Sequence, residues 1–272
     1  FASSKGITNE AYYTFTKAAR AMGTNNVDMC ARLCHAATVA GLKRTIGVGA
    51  PTCSLKDLIG TDVLLLIGTN IANNQPVTMK YLAEAKKRGT RVVVVNTTLE
   101  RGLERYWVPS MPVSAVFGTR LMDDFVQVNA GGDIAFMSGM LKHVLALGAE
   151  NTEFIETHTT GWDDLVAKLN ELTWDELETI SGTTRREMEW VGELFARAKS
   201  AVTIYSMGLT QHRFGTENVE SVVNLHLSRG LIGKEYCGIL PIRGHSGVQG
   251  GGECGVSPST LPGGRAVNPE NC

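Results

Sequence analysis

D-V-L-L-L-I-G at residues 62–68 and R-V-V-V-V-N at residues 91–96 decide how this chain folds. Each holds an unbroken apolar run, which suits a strand covered on both faces rather than one with a wet side. Between them lies a helical stretch with Pro76 near its first turn and Gly89 as its stop. Strand, helix and strand over about 35 residues make a βαβ unit, which demands a parallel sheet with a right-handed crossover.

The alternation continues on both sides of this unit. F-V-Q-V at 125–128 predicts a strand, and G-G-D at 131–133 opens a helix that reaches about residue 147. T-W-D-E at 173–176 and T-R-R-E at 184–187 are capping boxes, each opening a helix. The second of these runs to Lys199, with Met188, Val191, Leu194, Phe195 and Ala198 on one face. A-V-T-I-Y at 201–205 predicts a further strand, and 216–229 a helix closed by Gly230. Upstream, residues 8–22 have helical spacing up to Gly23, and 30–42 run from a turn into a short helix stopped near Gly47 and Gly49. The expected class is α/β: a doubly wound, Rossmann-like parallel sheet flanked by helices, with edge segments of a neighbouring domain. The expected boundaries are 1–29 for the end of that neighbour, 30–245 for the α/β domain, and 246–272 for a loop-rich start of the next segment.

Composition narrows the function classes. With 43% hydrophobic residues the chain has enough apolar mass for a core, which excludes a disordered segment. A net charge of −1 argues against a nucleic-acid or anionic-membrane surface. The longest apolar run is far shorter than the ~18 residues of a membrane-spanning helix. Six unevenly spaced cysteines do not resemble a secreted disulfide framework, so a reducing compartment, the cytoplasm, is expected. A start at Phe1 without methionine, and a proline- and glycine-rich run at 258–269 before the end, read as a piece of a longer chain.

In an open parallel sheet, ligands bind beyond the carboxyl ends of the strands. The residues there are Gly68-Thr69-Asn70, Asn96-Thr97-Thr98 and Ser206-Met207-Gly208. Glycine lets backbone N–H groups approach phosphate, and Asn and Thr hydrogen-bond sugar hydroxyls, so a nucleotide or dinucleotide is expected. Neither G-x-G-x-x-G after a strand nor G-x-x-x-x-G-K-[ST] occurs, which disfavours a nicotinamide dehydrogenase or a P-loop NTPase. Asp133 reads either as a guanine reader, its carboxylate accepting from the ring N–H and the exocyclic amine, or as a helix N-cap.

Two motifs carry the chemistry. C-A-R-L-C-H at 30–35 offers a thiolate beside an imidazole, and I-R-G-H-S-G-V-Q-G at 242–250 offers a guanidinium, a second imidazole and a glycine-rich backbone. A thiolate, a proton acceptor and an anion-orienting arginine are what a metal-centred two-electron oxidation of a small acid needs. A zinc site from Cys30, Cys34 and His35 would need a fourth ligand, for which Cys53 is the only candidate. His143 and His226 read as packing residues.

Together with T-N-N-V-D ahead of the first motif, G-T-N at 68–70, G-G-D at 131–133 and M-G-L-T-Q-H at 207–212, these stretches resemble the molybdopterin-dependent oxidoreductases, in their formate dehydrogenase-like branch. The resemblance covers nearly the whole chain. It implies two molybdopterin guanine dinucleotides around one molybdenum or tungsten atom, with Cys34 completing the coordination, and makes 30–245 the molybdopterin-binding portion. His35 is the implied proton acceptor and Arg243 the implied holder of a small anionic substrate's carboxylate. Gly68, Asn70, Asn96, Asp133, Met207, Gly208, Gln211 and His245 fall on implied cofactor-contacting positions. The remaining domains of a full-length subunit and an electron-transfer partner are the implied partners, and an iron–sulfur cluster would belong only to a part outside this sequence. The chain departs from formate dehydrogenases at His245, where those enzymes carry glutamine; histidine there is similar to a less characterised subgroup. A degenerate, non-redox guanine-nucleotide-binding module is the alternative. The central domain of a thiamine-diphosphate enzyme shares the α/β pattern but leaves C-A-R-L-C-H unexplained.

Overall fold

The computed structural model describes residues 7–245 and 247–271; residues 1–6, Ser246 of the late motif and residue 272 lie outside the described residues. The chain forms two compact units, one made of residues 37–242 and the other of residues 1–36 and 243–272.

The larger unit is built on five parallel strands: β1 (Val63–Ile67), β2 (Arg91–Asn96), β3 (Asp124–Gln127), β4 (Ala201–Tyr205) and β5 (Gly238–Pro241). Their order across the sheet is β3-β2-β1-β4-β5. The apolar runs are continuous because both faces are buried. Val63, Leu65, Ile67, Val93 and Val95 join one core, with the helices Asp133–Ala146, Arg185–Arg197 and Gly215–Ser228. Leu64, Leu66, Val92, Val94, Val202 and Ile204 join the other, with the helix Thr78–Lys87. The pleat sends alternate residues to opposite faces, and each buried Leu, Ile or Val there contributes about 1.5–3 kcal/mol. The chain winds outward from β1 through β2 to β3, then returns to lay β4 on the other side of β1. Right-handed crossovers therefore put the helices of the two halves on opposite faces. The doubly wound architecture is as expected from the sequence.

Local chemistry sets the element ends. Thr173 with Glu176 and Thr184 with Glu187 form reciprocal capping boxes. The stretch after β1 differs from the single helix expected. A one-turn helix, Ile71–Asn74, comes first, and the main helix starts only at Thr78. Gln75 separates them at φ −130°, ψ 61°, because the residue before Pro76 is held out of the helical region. Elements that the sequence reading missed include the helices Thr152–His158 and Trp162–Glu171, the short helices Arg101–Glu104 and Pro112–Phe117, and the edge strand β5. His226 is fully buried, with Nε2 2.7 Å from the Thr203 hydroxyl and burial pushing its pKa down to about 4. It is a neutral packing residue.

The smaller unit joins the first and last stretches of the chain. Its helix Asn9–Ala21 is capped by Thr8 and buries Tyr12 and Ala19 with Val27 and Val256. The Arg20 guanidinium donates to the Ser257 carbonyl at 2.8 Å and the Thr260 carbonyl at 3.1 Å. Those bonds satisfy carbonyls of a loop that has no regular partner. No helix among the described residues is long and apolar enough to cross a membrane.

Candidate cofactor crevice and thiol site

Parallel strands end on one edge of a sheet, so the turns after β1, β2 and β4 lie together at the carboxyl edge. The order reverses between β1 and β4, the place in an open parallel sheet where ligands gather. Gly68 takes φ +58° as it leaves β1, and its carbonyl accepts from the Gly208 N–H at 2.9 Å. A Cβ at Gly208 would lie 2.5 Å from the Gly68 Cα, so the two turns meet backbone to backbone. Met207 and Gly208 begin the short helix Met207–Thr210, and Gln211 is its C-cap. The amide of Asn218 donates to the Leu209 carbonyl at 2.8 Å and fixes that turn.

The polar side chains of the crevice are mostly committed. Asn70 caps the one-turn helix through the Asn73 N–H, at 3.3 Å, and donates to the Glu100 carboxylate at 2.6 Å. Asn96 accepts from the Thr97 N–H at 2.9 Å, and the Ser206 hydroxyl donates to the Ile242 carbonyl at 2.8 Å. Glu100 is a crevice residue the sequence did not flag, since nothing local ties it to Asn70. Thr69 is 3% exposed; its Oγ1, and the Oδ1 of Asn218, are buried without a hydrogen-bond partner.

Asp133 is not the N-cap; Gly132 is, and Asp133 sits in the first turn of its helix, 5% exposed. Burial pushes its pKa up from an ordinary 3.8 to about 6, with nearby His212 pulling partly back. The folded state therefore holds this proton to higher pH than the unfolded chain. Above pH 6 the buried carboxylate costs about 3 kcal/mol, a cost that fades as pH falls from 6 to below 3.8. Asp133→Asn should raise the melting temperature of the cofactor-free protein above pH 7, with the two melting curves converging near pH 4. Thermal melts across that range check this, and a gain that does not depend on pH would contradict it.

In the smaller unit, the one-turn 3₁₀ helix Cys30–Leu33 carries the early motif and ends at Cys34. Cys34 and His35 are buried, at 6% and 1% exposure. Burial raises the Cys34 pKa, Cys30 raises it further, and Arg243 pulls it down. The Cys30 Sγ lies 3.7 Å from the His245 Nδ1, across 215 positions of sequence. The early and late motifs thus form one cluster of Cys30, Cys34, Arg243 and His245. Cys53, in the larger unit, is a thiol pushed up to about 12 by burial, and is inert by comparison. No group of three or more His, Cys, Asp or Glu that could hold a metal ion occurs among the described residues.

Comparison with known proteins agrees with this picture. A family model for molybdopterin oxidoreductase matches residues 1–262. Protein YdeP of Escherichia coli K12 is 36% identical over 269 residues, covering 94% of this chain and 35% of that protein. Formate dehydrogenase H of the same strain is 31% identical, covering 96% of this chain and 34% of its own length. The F420-dependent formate dehydrogenase 1 subunit alpha of Methanococcus maripaludis is 34% identical, covering 98% and 37%. The chain thus spans about a third of the length of these relatives. In fold it is similar to acetylene hydratase from Pelobacter acetylenicus, with a TM-score of 0.64, 21% identity, and coverage of 80% of this chain and 28% of that one. By the span of the family model and the identity to these relatives, the chain belongs to the molybdopterin oxidoreductase family.

Proposed function

We propose that the chain is the cofactor-binding α/β portion of an enzyme resembling formate dehydrogenase, oxidising formate or a similar small anion by two electrons. The observation that carries this reading is the meeting of the early and late motifs, where the Cys30 Sγ lies 3.7 Å from the His245 Nδ1 and brings a soft donor near an anion-holding arginine. The residues fit the group that the family implies. A buried thiol beside a second thiol, an arginine and a histidine is a donor set that a soft, cofactor-held metal would suit. The glycine crossing of Gly68 and Gly208 supports the reading by bringing the turns after β1 and β4 together at the carboxyl edge of the sheet.

In this reading Cys34 would ligate molybdenum or tungsten carried by molybdopterin guanine dinucleotide. Gly68, Asn70, Asn96, Met207, Gly208, Gln211 and His245 would contact the cofactor, and Asp133 would read guanine with its carboxylate. When bound, the cofactor supplies the two-electron redox chemistry. Arg243 pairs with the substrate carboxylate through two N–H groups, an arrangement that a lysine ammonium does not reproduce. Oxidation of formate releases carbon dioxide, one proton and two electrons. An imidazole nitrogen of His35 takes that proton, and burial of the ring keeps bulk water from competing for it. The electrons pass to a partner, and the reaction belongs to the cytoplasm.

The full-length protein should contain molybdenum or tungsten by elemental analysis, and mass spectrometry of the released cofactor should show the guanine dinucleotide form. Arg243→Lys should raise the apparent KM for formate by about 10- to 100-fold, the loss expected when one charge-assisted pair is weakened. Metal-free protein would favour the non-redox guanine-nucleotide module instead. Unchanged kinetics in the lysine variant would remove Arg243 from substrate binding.

A further inference from the structure

We propose that the loop from Trp107 to Phe117 is a docking surface for the rest of the same subunit, the polypeptide that its longer relatives carry beyond the matched part. Residues 97–123 join β2 to its parallel neighbour β3, a crossover that ordinarily carries a helix packed on the sheet. Here they hold only the one-turn helix Arg101–Glu104 and the short helix Pro112–Phe117. A connection of that length with so little regular structure is usually functional.

The loop is built to keep its shape. Leu103, Val108, Leu121 and Met122 anchor it in the core that also holds Leu64 and Leu66. Tyr106 and Thr119 exchange backbone hydrogen bonds at 3.0 and 2.8 Å, which closes its neck. The buried Ser114 hydroxyl donates to the Tyr106 carbonyl at 2.9 Å. It also accepts from the Val108 N–H and the Thr119 hydroxyl, each at 2.8 Å.

What this frame presents outward is apolar. Trp107, Val113, Val116 and Phe117 are 64% to 73% exposed, all within one short stretch. Val113, Val116 and Phe117 are three and four positions apart, so they share one face of the short helix. Single exposed apolar side chains, such as Leu147 and Ile180, need no partner. An ordered cluster led by Trp and Phe has the make-up of an interface core. About two thirds of each relative's length lies outside the match, and that polypeptide has to pack somewhere. Covalent connection keeps it at high effective concentration, which favours it over a separate protein.

Hydroxyl-radical footprinting of native full-length protein tests this, each residue's oxidation rate being compared with its rate in peptides from the digested protein. An open face would leave Trp107 and Phe117 near the peptide rate. Once covered, both should react at least about fivefold more slowly, and the protection should persist on dilution to the monomer. Phe117→Asp should lower the melting temperature of the full-length protein by about 4 °C or more, while Phe117→Leu stays near wild type. Weaker protection would overturn the proposal, as would a wild-type melting temperature for F117D. Protection that vanishes on dilution would overturn it in favour of a second copy. None of these outcomes bears on the cofactor assignment.

Discussion

Replacing Cys34 with alanine in the full-length enzyme is expected to lower turnover by about three orders of magnitude or more, the scale seen when a group at the reacting centre is removed. The thiol is buried, at 6% exposure, with its pKa raised by that burial and by Cys30. Such a sulfur is a poor free nucleophile, and a metal ion would deprotonate it outright. Nearby Arg243 supplies positive charge that favours the thiolate. Alanine removes the donor and leaves a small cavity, so folding should survive. On the proposed reading metal content should fall far less than turnover, because most of the metal's bonds would come from the cofactor. Turnover with formate and metal per polypeptide are the two measurements. If the alanine variant turned over within about tenfold of wild type at full metal content, Cys34 would have no place in the mechanism.

A second large effect is expected in the larger unit, at Gly208. A methyl group there would sit 2.5 Å from both the Cα and the carbonyl oxygen of Gly68. These are backbone atoms anchored on two sides, since the Gly68 N–H donates to the Val95 carbonyl and its own carbonyl accepts from Gly208. Neither side yields without disturbing the sheet, so Gly208→Ala should cost about 3 kcal/mol, at the upper end for overpacking. For a unit of this size that corresponds to a fall in melting temperature of roughly 6–12 °C. On the proposed reading the same substitution should also lower cofactor content, because it displaces the turns after β1 and β4. A wild-type melting temperature for the alanine variant would mean that the turns separate readily and that this contact does not hold them.

Much of the fold was legible because its determinants are local. β2 and β4 were read to the residue from runs of Val, Ile and Ala, since a strand buried on both faces tolerates little else. The capping boxes at Thr173 and Thr184 marked helix starts because the reciprocal bonds need only four consecutive residues. β5 escaped notice for the opposite reason. Its four residues, G-I-L-P, have a glycine and a proline at the ends, and pairing with β4 makes them a strand. The helix Thr152–His158 is too short for a long periodic face, whereas Trp162–Glu171 carries one in Trp162, Leu165, Val166 and Leu169 that the sequence reading passed over. The break at Gln75 was foreshadowed by Pro76 but depends on the Asn70 cap to become two helices.

The sequence by itself determined the parallel α/β class, the edge of the sheet on which ligands gather, and the residue types able to bind a metal and an anion. These follow from hydrophobic period, turn chemistry and side-chain functional groups, which act over a few positions. Tertiary structure alone decided that Cys30 meets His245, that Cys34 senses Arg243, that Asn70 is spent on Glu100, and that Thr69 is left unpaired. It also decided the proton on Asp133, whose pKa depends on how much water the fold removes from it. Contacts between distant segments and the desolvation of single groups arise only when the chain closes on itself, because no local preference encodes which remote group will be the neighbour.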